Sequence, residues 1–263
     1  MNPKSIQSKK ISDHLNTNWL GQNILHYSTI DSTNLEAKRL LSQLNHGSVL
    51  LASHQSAGRG RIGKQWISRE NHSLACSIVL KPAQMSISAS MLTQLSAAAL
   101  HQVLSNYLPV QIKWPNDIMS HHKKIAGILI EATYEGAHLS GVIVGIGINL
   151  YTQTFDLDDL NETAGSLEEF TTRPFDPNVI MADLLNEFEK KYDAYLNHRD
   201  ETFLDVCRKH STLIGNRVSV HHNEQKRLAK VVGLSNTGTL EIIYDRMDSV
   251  EHIHLGEVSI RLI

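Results

Sequence analysis

Short apolar runs of strand length and stretches of helical spacing alternate through the first two hundred residues, and beyond Ser211 only short strands follow. Ser48–Ser53 and Ser73–Leu80 read as buried strands, and Ser88–Tyr107 carries Leu92, Leu95, Ala99 and Val103 on one helical face. Ahead of them, residues 1–22 offer at most a short helix. Tyr27–Ile30 reads as a strand entering Asp31-Ser32-Thr33-Asn34-Leu35-Glu36. There Thr33 and Glu36 have capping-box spacing, and Leu40, Leu41 and Leu44 supply a helical face. Val110–Met119 alternates like a strand, but Pro115 has no N–H for the sheet and implies a bulge or break. Lys123–Glu131 follows through a short His121-His122 turn as the second arm of an antiparallel hairpin, and Leu139–Leu150 returns after a turn at 134–137.

Residues 151–175 are polar and acidic and read as an irregular connection. Asp176-Pro177 supplies an N-cap and an N1 proline for a helix with Leu184, Phe188, Tyr192 and Tyr195 on one face, and Phe203, Leu204, Val206 and Cys207 mark another helical piece. The last strands are Val218/Val220, Leu228–Val232, Leu240/Ile242 and Val258/Ile260/Leu262, with turns at 223–224, 236–238 and 255–256. That rhythm suggests a small β-barrel. The expected class is α+β: a domain over residues 1–210 with a central mixed, largely antiparallel sheet, and a barrel over 211–263.

Composition narrows the function. The 263 residues are 41% apolar, enough for a core, and 25 Lys and Arg against 27 Asp and Glu give a net charge of -2. Near balance argues against bulk electrostatic binding of nucleic acid, so any basic cluster must act locally. Cys76 and Cys207 lie far apart in apolar patterns and read as buried thiols of a reducing compartment. The N-terminus has no signal-peptide core, and the run Val142–Ile148 is far below the ~20 residues of a membrane span, so a cytoplasmic protein is expected. Fifteen histidines, including His121-His122 and His221-His222, accompany no HExxH or Cys/His cluster and read as solvated positions.

The densest candidate chemistry lies in Gln55-Ser56-Ala57-Gly58-Arg59-Gly60-Arg61-Ile62-Gly63-Lys64-Gln65-Trp66, where glycines allow close backbone approach and arginines offer forks of donors for anions. Gly58 to Lys64 matches seven positions of a Walker A loop, but Gln65 replaces the Mg²⁺-binding hydroxyl and no helical pattern follows. A flexible basic surface loop is the plain alternative. Elsewhere, Ser32 and Thr33 serve either a helix start or a ligand, and Lys113 and Asp117 read as a solvated ion pair or as flanks of a site holding Asn116. Lys124, beside the small Ala126 and Gly127, is an anion ligand or an edge-protecting lysine. Gly145-Ile146-Gly147-Ile148-Asn149-Leu150 lacks the third glycine of a dinucleotide fingerprint, so its glycines clear space beside a ligand that Asn149 can hydrogen-bond.

In order and spacing, the 58–66 loop, Lys113-Trp114-Pro115-Asn116-Asp117, Lys124-Ile125-Ala126-Gly127-Ile128-Leu129 and Gly145–Asn149 resemble the biotin-protein ligases. With Asp31–Asn34 and the C-terminal strands, the resemblance covers roughly residues 25–263. It implies a catalytic domain similar to class II aminoacyl-tRNA synthetases and an SH3-like C-terminal barrel. It also implies two half-reactions: biotin and ATP give biotinyl-5'-adenylate and pyrophosphate, and a lysine of a biotin carboxyl carrier protein, as in acetyl-CoA carboxylase, then takes the biotin. The expected biotin contacts are Ser32, Thr33, Gln55, Gly58, Arg59, Arg61, Lys124 and Gly127. Those for ATP and the adenylate are Arg59, Arg61, Trp66, Asn116, Lys124 and Asn149, with Asn116 also near Mg²⁺. Lys124, Arg59 and Asp117 are the expected catalytic groups, Asp117 orienting or deprotonating the incoming lysine.

Lys64 stands where this family commonly has Arg, which keeps charge but loses the fork. About 25 residues precede the first motif, too few for the DNA-binding domain of many bacterial relatives, so no operator binding is expected. Exposed sheet edges leave room for a homodimer. Lipoate ligases and octanoyltransferases share the implied architecture and are the alternative within it, and a nucleic-acid-binding regulator is the alternative outside it.

Overall fold

The computed structural model describes residues 5–67, 69–81, 87–154, 162–222, 225–255 and 259–262. Its main sheet holds β1 (Ile24–Tyr27), β2 (Val49–Ala52), β3 (Ser73–Leu80), β4 (Gln111–Lys113), β5 (Asp117–Ser120), β6 (Lys123–Glu135) and β7 (His138–Asn149). The spatial order is β1-β2-β3-β7-β6-β5-β4, with β1 and β2 parallel and every other pair antiparallel. The mixed, largely antiparallel sheet is therefore as expected.

The two-residue period of the strands gives the sheet two unlike faces. Leu74, Cys76, Ile78 and Leu80 of β3 and Val142, Val144, Ile146 and Ile148 of β7 belong to the main core, together with Leu92, Leu95 and Ala99 of α3 (Ala89–Leu104). Ser88 caps α3 by accepting from the Met91 N–H. Burial pushes the Cys76 thiol up to about 12, as expected of an inert core thiol. The intervening residues face the other way. Val79 and Ile143 meet Leu50 and α2 (Thr33–Arg39) in a second, small apolar cluster. Farther along that face come the small residues Ser77, Ala75, Gly145, Gly147 and Gly127, in paired registers.

Several local expectations need correction. The first strand is Ile24–Tyr27, and Ile30 makes only an isolated bridge to Gln55. The capping box does not form: Ser32 is the N-cap residue without a side-chain cap, and Thr33, already helical, turns its hydroxyl to Gln55. A tertiary partner has outcompeted the local one. The break expected at Pro115 divides the run into two strands: a cis Trp114–Pro115 peptide lies in the turn between β4 and β5, with Lys113 opposite Asp117. Lys124 lies on β6, an interior strand, so it protects no edge.

After the main sheet come α4 (Leu167–Phe170), α5 (Pro177–His198) and α6 (Thr202–Lys209). Asp176 caps α5 by accepting from the Asn178 N–H, with Pro177 at its start, as its sequence implies. An unforeseen strap joins the N-terminus, which includes α1 (Ser8–Asp13), to α5: the Glu189 carboxylate accepts the backbone N–H groups of Asn18, Trp19 and Leu20.

The C-terminal strands are β8 (Arg217–His222), β9 (Gln225–Leu234), β10 (Leu240–Tyr244), β11 (Glu251–Ile253) and β12 (Ser259–Leu262). They form a separate antiparallel sheet, ordered β11-β10-β9-β8-β12, consistent with an SH3-like unit. β11 lacks an alternating apolar signal and was not expected. The turns expected at 223–224 and 255–256 lie wholly or partly outside the described residues. This sheet braces the main one. Trp114 donates its indole N–H to the Gly238 carbonyl at 3.1 Å, and Gln94 of α3 donates to the Pro115 carbonyl at 3.0 Å.

Candidate active site

The small-residue face of the main sheet is a groove floor roofed by the glycine-arginine loop. Hydrogen bonds Gly60 N–H to Lys64 O and Trp66 N–H to Gly58 O make residues 58–66 a narrow hairpin. Its tip, Arg61-Ile62-Gly63-Lys64, has both central residues at positive φ, 52° and 69°, as a two-residue hairpin turn demands. Such a φ is costly for the branched Ile62. The hairpin carries Trp66 onto the floor: a Cβ on Gly147 would lie 2.6 Å from its indole, and one on Gly127 would lie 3.2 Å from it. Those two glycines, paired across β6 and β7, are what admit an aromatic ring here.

One end of the groove is a buried polar chain. Gln55 Oε1 accepts from the Thr33 N–H at 2.9 Å and its hydroxyl at 3.1 Å. Ser77 Oγ lies 2.8 Å from Thr33 Oγ1 and 2.6 Å from Asn34 Oδ1, so its single proton serves one or the other. Asn34 donates to Glu131 at 2.8 Å, and Lys38 donates to the other Glu131 oxygen at 2.7 Å. Burial pushes the Glu131 carboxyl up, but these two bonds together with the Lys38 and Arg59 charges hold the group below the usual carboxylate range. Ser32 and Thr33 are buried beside this chain, and Gly58 lies against Gln55 and Trp66, where a Cβ would collide.

The other end gathers Lys124, Asp117, Asn116 and Arg61. A bulge brings Lys124 there: Ala126 pairs with Ile118 but Lys124 with Met119, so Ile125 is an extra residue. The bulge breaks the alternation, and Lys124 Nζ comes over Gly127, where a Cβ would lie 2.9 Å from it. Nζ is 2.5 Å from Asp117 Oδ1 and 5.6 Å from the Trp66 ring centroid. The Lys124–Asp117 contact is a close ion pair without hydrogen-bond alignment, so Asp117 Oδ1 has no hydrogen bond among the described residues. Arg61 is half-buried and donates through Nη1 to Asn116 Oδ1 at 3.2 Å. Burial pushes its pKa down while the Asp117 charge works the other way. Arg61 Nη2 and Trp66 Nε1 are buried without hydrogen-bond partners among the described residues.

Thus the structure brings together Thr33, Gln55 and Gly58 at one end, and Arg61, Asn116, Asp117 and Lys124 at the other. Gly127 and Trp66 lie between them. The two arginines, expected to share the carboxylate and phosphate, face different partners. Arg59 is half-exposed, with Nη2 3.5 Å from Glu131 Oε1. Asn116, the partner of Arg61, accepts the Ile128 N–H, so the two anchor points lie three residues apart along β6, roughly 10 Å at strand rise. Asn149 donates to the Gly165 carbonyl at 2.9 Å and the Lys124 carbonyl at 3.3 Å, bracing the segment beside Lys124. Asn116 also donates to the Ile128 carbonyl at 2.8 Å. Among the described residues no group of three or more His, Cys, Asp or Glu could hold a metal ion. Ser77 and Glu131 were missed in the sequence. Ser77 sits inside an apolar run, but the glycines opposite it hinted at a groove.

The comparisons agree with this geometry. A biotin protein ligase from Aquifex aeolicus, solved in complex with biotin and ATP, superposes with a TM-score of 0.77 at 27% identity, covering 92% of this chain and 100% of that one. The fold and groove thus define a protein of the ligase class. Residues 26–149 match the model of the Biotin/lipoate A/B protein ligase family. The bifunctional ligase/repressor BirA of Bacillus spizizenii is 29% identical over 262 residues, 98% of this chain and 80% of that protein. A biotin--[acetyl-CoA-carboxylase] ligase of Paracoccus denitrificans is 39% identical over 124 residues, 46% of this chain and 51% of that one. Residues 26–149 thus carry a Biotin/lipoate A/B protein ligase domain, and the chain as a whole is similar to biotin protein ligases.

Proposed function

We propose that this protein activates biotin with ATP to biotinyl-5'-adenylate, releasing pyrophosphate, and passes the biotinyl group to a lysine of a biotin carboxyl carrier domain. The observation that carries the residue assignments is the groove itself, a glycine floor joining a buried polar end to the Lys124–Asp117 pair under an arginine-bearing lid. The polar end suits the ureido ring of biotin, with Ser32, Thr33 and Gln55 as its hydrogen-bonding partners and the Gly58 and Gly127 backbones alongside. A lipoyl or octanoyl chain would bring no ureido-like donors and acceptors to that polar wall, which disfavours that alternative.

At the opposite end, the unpaired donors of Arg61 and Trp66 call for acceptors, and phosphate and carboxylate oxygens supply them. Lys124 bridges the biotin carboxylate and the α-phosphoryl group, offsetting the repulsion of two anions and the charge that develops as the carboxylate oxygen attacks phosphorus. The phosphorus–oxygen bond to pyrophosphate breaks as the new one forms. As Lys124 turns to the phosphoryl oxygens, Asp117 is freed to accept a proton from the carrier lysine, whose amine then displaces AMP from the biotinyl carbonyl. Trp66 offers the adenine a flat apolar surface, and Asn149 holds the adjoining segment in place. Mg²⁺ enters with ATP as part of that substrate, with Asn116 as its neighbour.

No helix among the described residues is long and apolar enough to cross a membrane, and a cytoplasmic location is part of the proposal. So are the lack of DNA binding, supported by the near-balanced charge, and self-association through the open edge of β1. Incubation with biotin, ATP and an apo carrier domain should yield pyrophosphate and a carrier heavier by one biotin. An unmodified carrier, in a reaction where a known ligase modifies it, would refute the assignment.

A further inference from the structure

We infer that Glu131 is a positioning residue that latches the 58–66 lid through Arg59 over the polar end of the groove. Gly127, Leu129 and Glu131 alternate onto the groove face of β6, and Leu129 pairs with Gly145, on which Asn34 sits so closely that a Cβ would collide with its amide. The Glu131 carboxylate therefore stands just beyond the pocket that Thr33, Gln55, Ser77 and Asn34 enclose. Its side chain is 14% exposed, and both oxygens are used: Oε2 accepts from Asn34, and Oε1 faces Lys38 at 2.7 Å and Arg59 at 3.5 Å.

The three partners differ in what they can move. Asn34 and Lys38 belong to α2, which is fixed to the sheet by its own apolar cluster. Arg59 belongs to the lid hairpin and bridges Gln65 across it. Lys38 neutralises Glu131 at closer range, so Arg59 is a second cation on an already paired carboxylate. At 3.5 Å and 44% side-chain exposure, its hold is weak enough to break and re-form. A fixed anion that gives a mobile arginine a resting place is a latch: it biases the lid toward closure without locking it. The same carboxylate holds Asn34 against Ser77, so closing the lid and shaping the polar pocket depend on one group.

The latch implies that Arg59 seals the acyl head into its pocket while Arg61 attends to the phosphoryl end. That consequence rests on the biotin reading, but the latch itself involves only this chain's own residues and is tested without biotin. Hydrogen exchange of residues 58–66, without ligand, should speed up about three- to fivefold in Glu131→Gln, the range expected of an exposed ion pair, while β3 and β7 exchange as before. Glu131→Gln keeps an acceptor for Asn34. Arg59→Gln should give the same acceleration, and the double variant should be no faster than either single one. Lys38→Met, which spares the Arg59 contact, should not speed the lid at all.

A lid unaffected by Glu131→Gln, or additive effects in the double variant, would overturn the inference. If Glu131→Gln also loosened β3 and β7, the Arg59→Gln variant alone decides: an unchanged lid there rejects the latch. With biotin present, the single variants should raise the KM for biotin by a larger factor than they lower kcat. A protein that never binds biotin would refute the ligase assignment and leave the exchange result to judge the latch.

Discussion

The two ends of the groove use similar polar residues in opposite ways. At the Thr33–Glu131 end the polar side chains are joined in a continuous series from Gln55 through Thr33, Ser77 and Asn34 to Glu131 and Lys38. At the Lys124–Asp117 end, two buried donors and one carboxylate oxygen lack hydrogen bonds among the described residues. A buried polar atom left unpaired costs about 1–3 kcal/mol, which a ligand that supplies the partner can recover. The first end keeps its shape without a ligand, as a recognition pocket should. The second is incomplete without one, and its unmet donors match an anion.

If this contrast is right, Lys124→Ala should do the greatest damage. Removing the charge that faces the developing phosphoryl anion is expected to slow biotin-dependent pyrophosphate release by about 10²–10³-fold, the usual loss for one transition-state donor. Biotin affinity, set mainly at the other end, should change far less, and a release rate near wild type would dissolve the distinction between the ends. Gly147→Val comes next. Its side chain would start 2.6 Å from the Trp66 indole and push it off the floor, raising the KM for ATP by roughly tenfold, as for loss of one aromatic contact and one donor. Steady-state kinetics with each substrate varied in turn would reveal the opposite pattern, a larger effect on biotin, if the floor served the acyl chain instead.

Arg61→Ala should let the adenylate escape about tenfold faster, since one charge-assisted contact is lost, whereas Arg59→Ala should act first on biotin retention. Capture of released adenylate by bystander lysines distinguishes the two, and equal leakage from both would put the arginines back at one end. The smallest effect lies outside the groove. His101 is buried against His210, with ring centroids 4.0 Å apart. Burial, then the His210 charge, lowers its pKa to about 4. Its folded value lies below the unfolded one of about 6.5, so the unfolded chain binds the proton first. Stability is full above pH 6.5 and declines as pH falls toward 4. Thermal unfolding of His101→Gln should show a shallower decline over that window, with pyrophosphate release at pH 7.5 little changed; an identical pH slope would mean that His101 carries none of this linkage.

Much of this arrangement was legible because both periods are clean. The run Ser73–Leu80 returned residue for residue as a strand, and Asp176-Pro177 opened its helix as written. The resemblance depended on motifs that stay contiguous in sequence, and the structure gathers most of them around one groove. What escaped the sequence depends on distance and register. Asn34 meets Glu131 across 97 residues, and no local signal ties them. The extra residue at Ile125 reverses the facing of Lys124, and nothing in Lys123–Glu131 announces it. Thr33 looks like half of a capping box until Gln55, from the segment after β2, claims it. The resemblance assigns Arg59 and Arg61 to the same ligands, and no local signal tells that Arg59 faces Glu131 while Arg61 faces Asn116.

Biotin-dependent exchange of labelled pyrophosphate into ATP, run without any carrier, tests the central claim most directly, because it reads adenylate formation alone. Exchange should appear with biotin, fail with lipoate or octanoate, and fall by orders of magnitude in Lys124→Ala. Exchange supported by lipoate or octanoate but not by biotin would contradict the account.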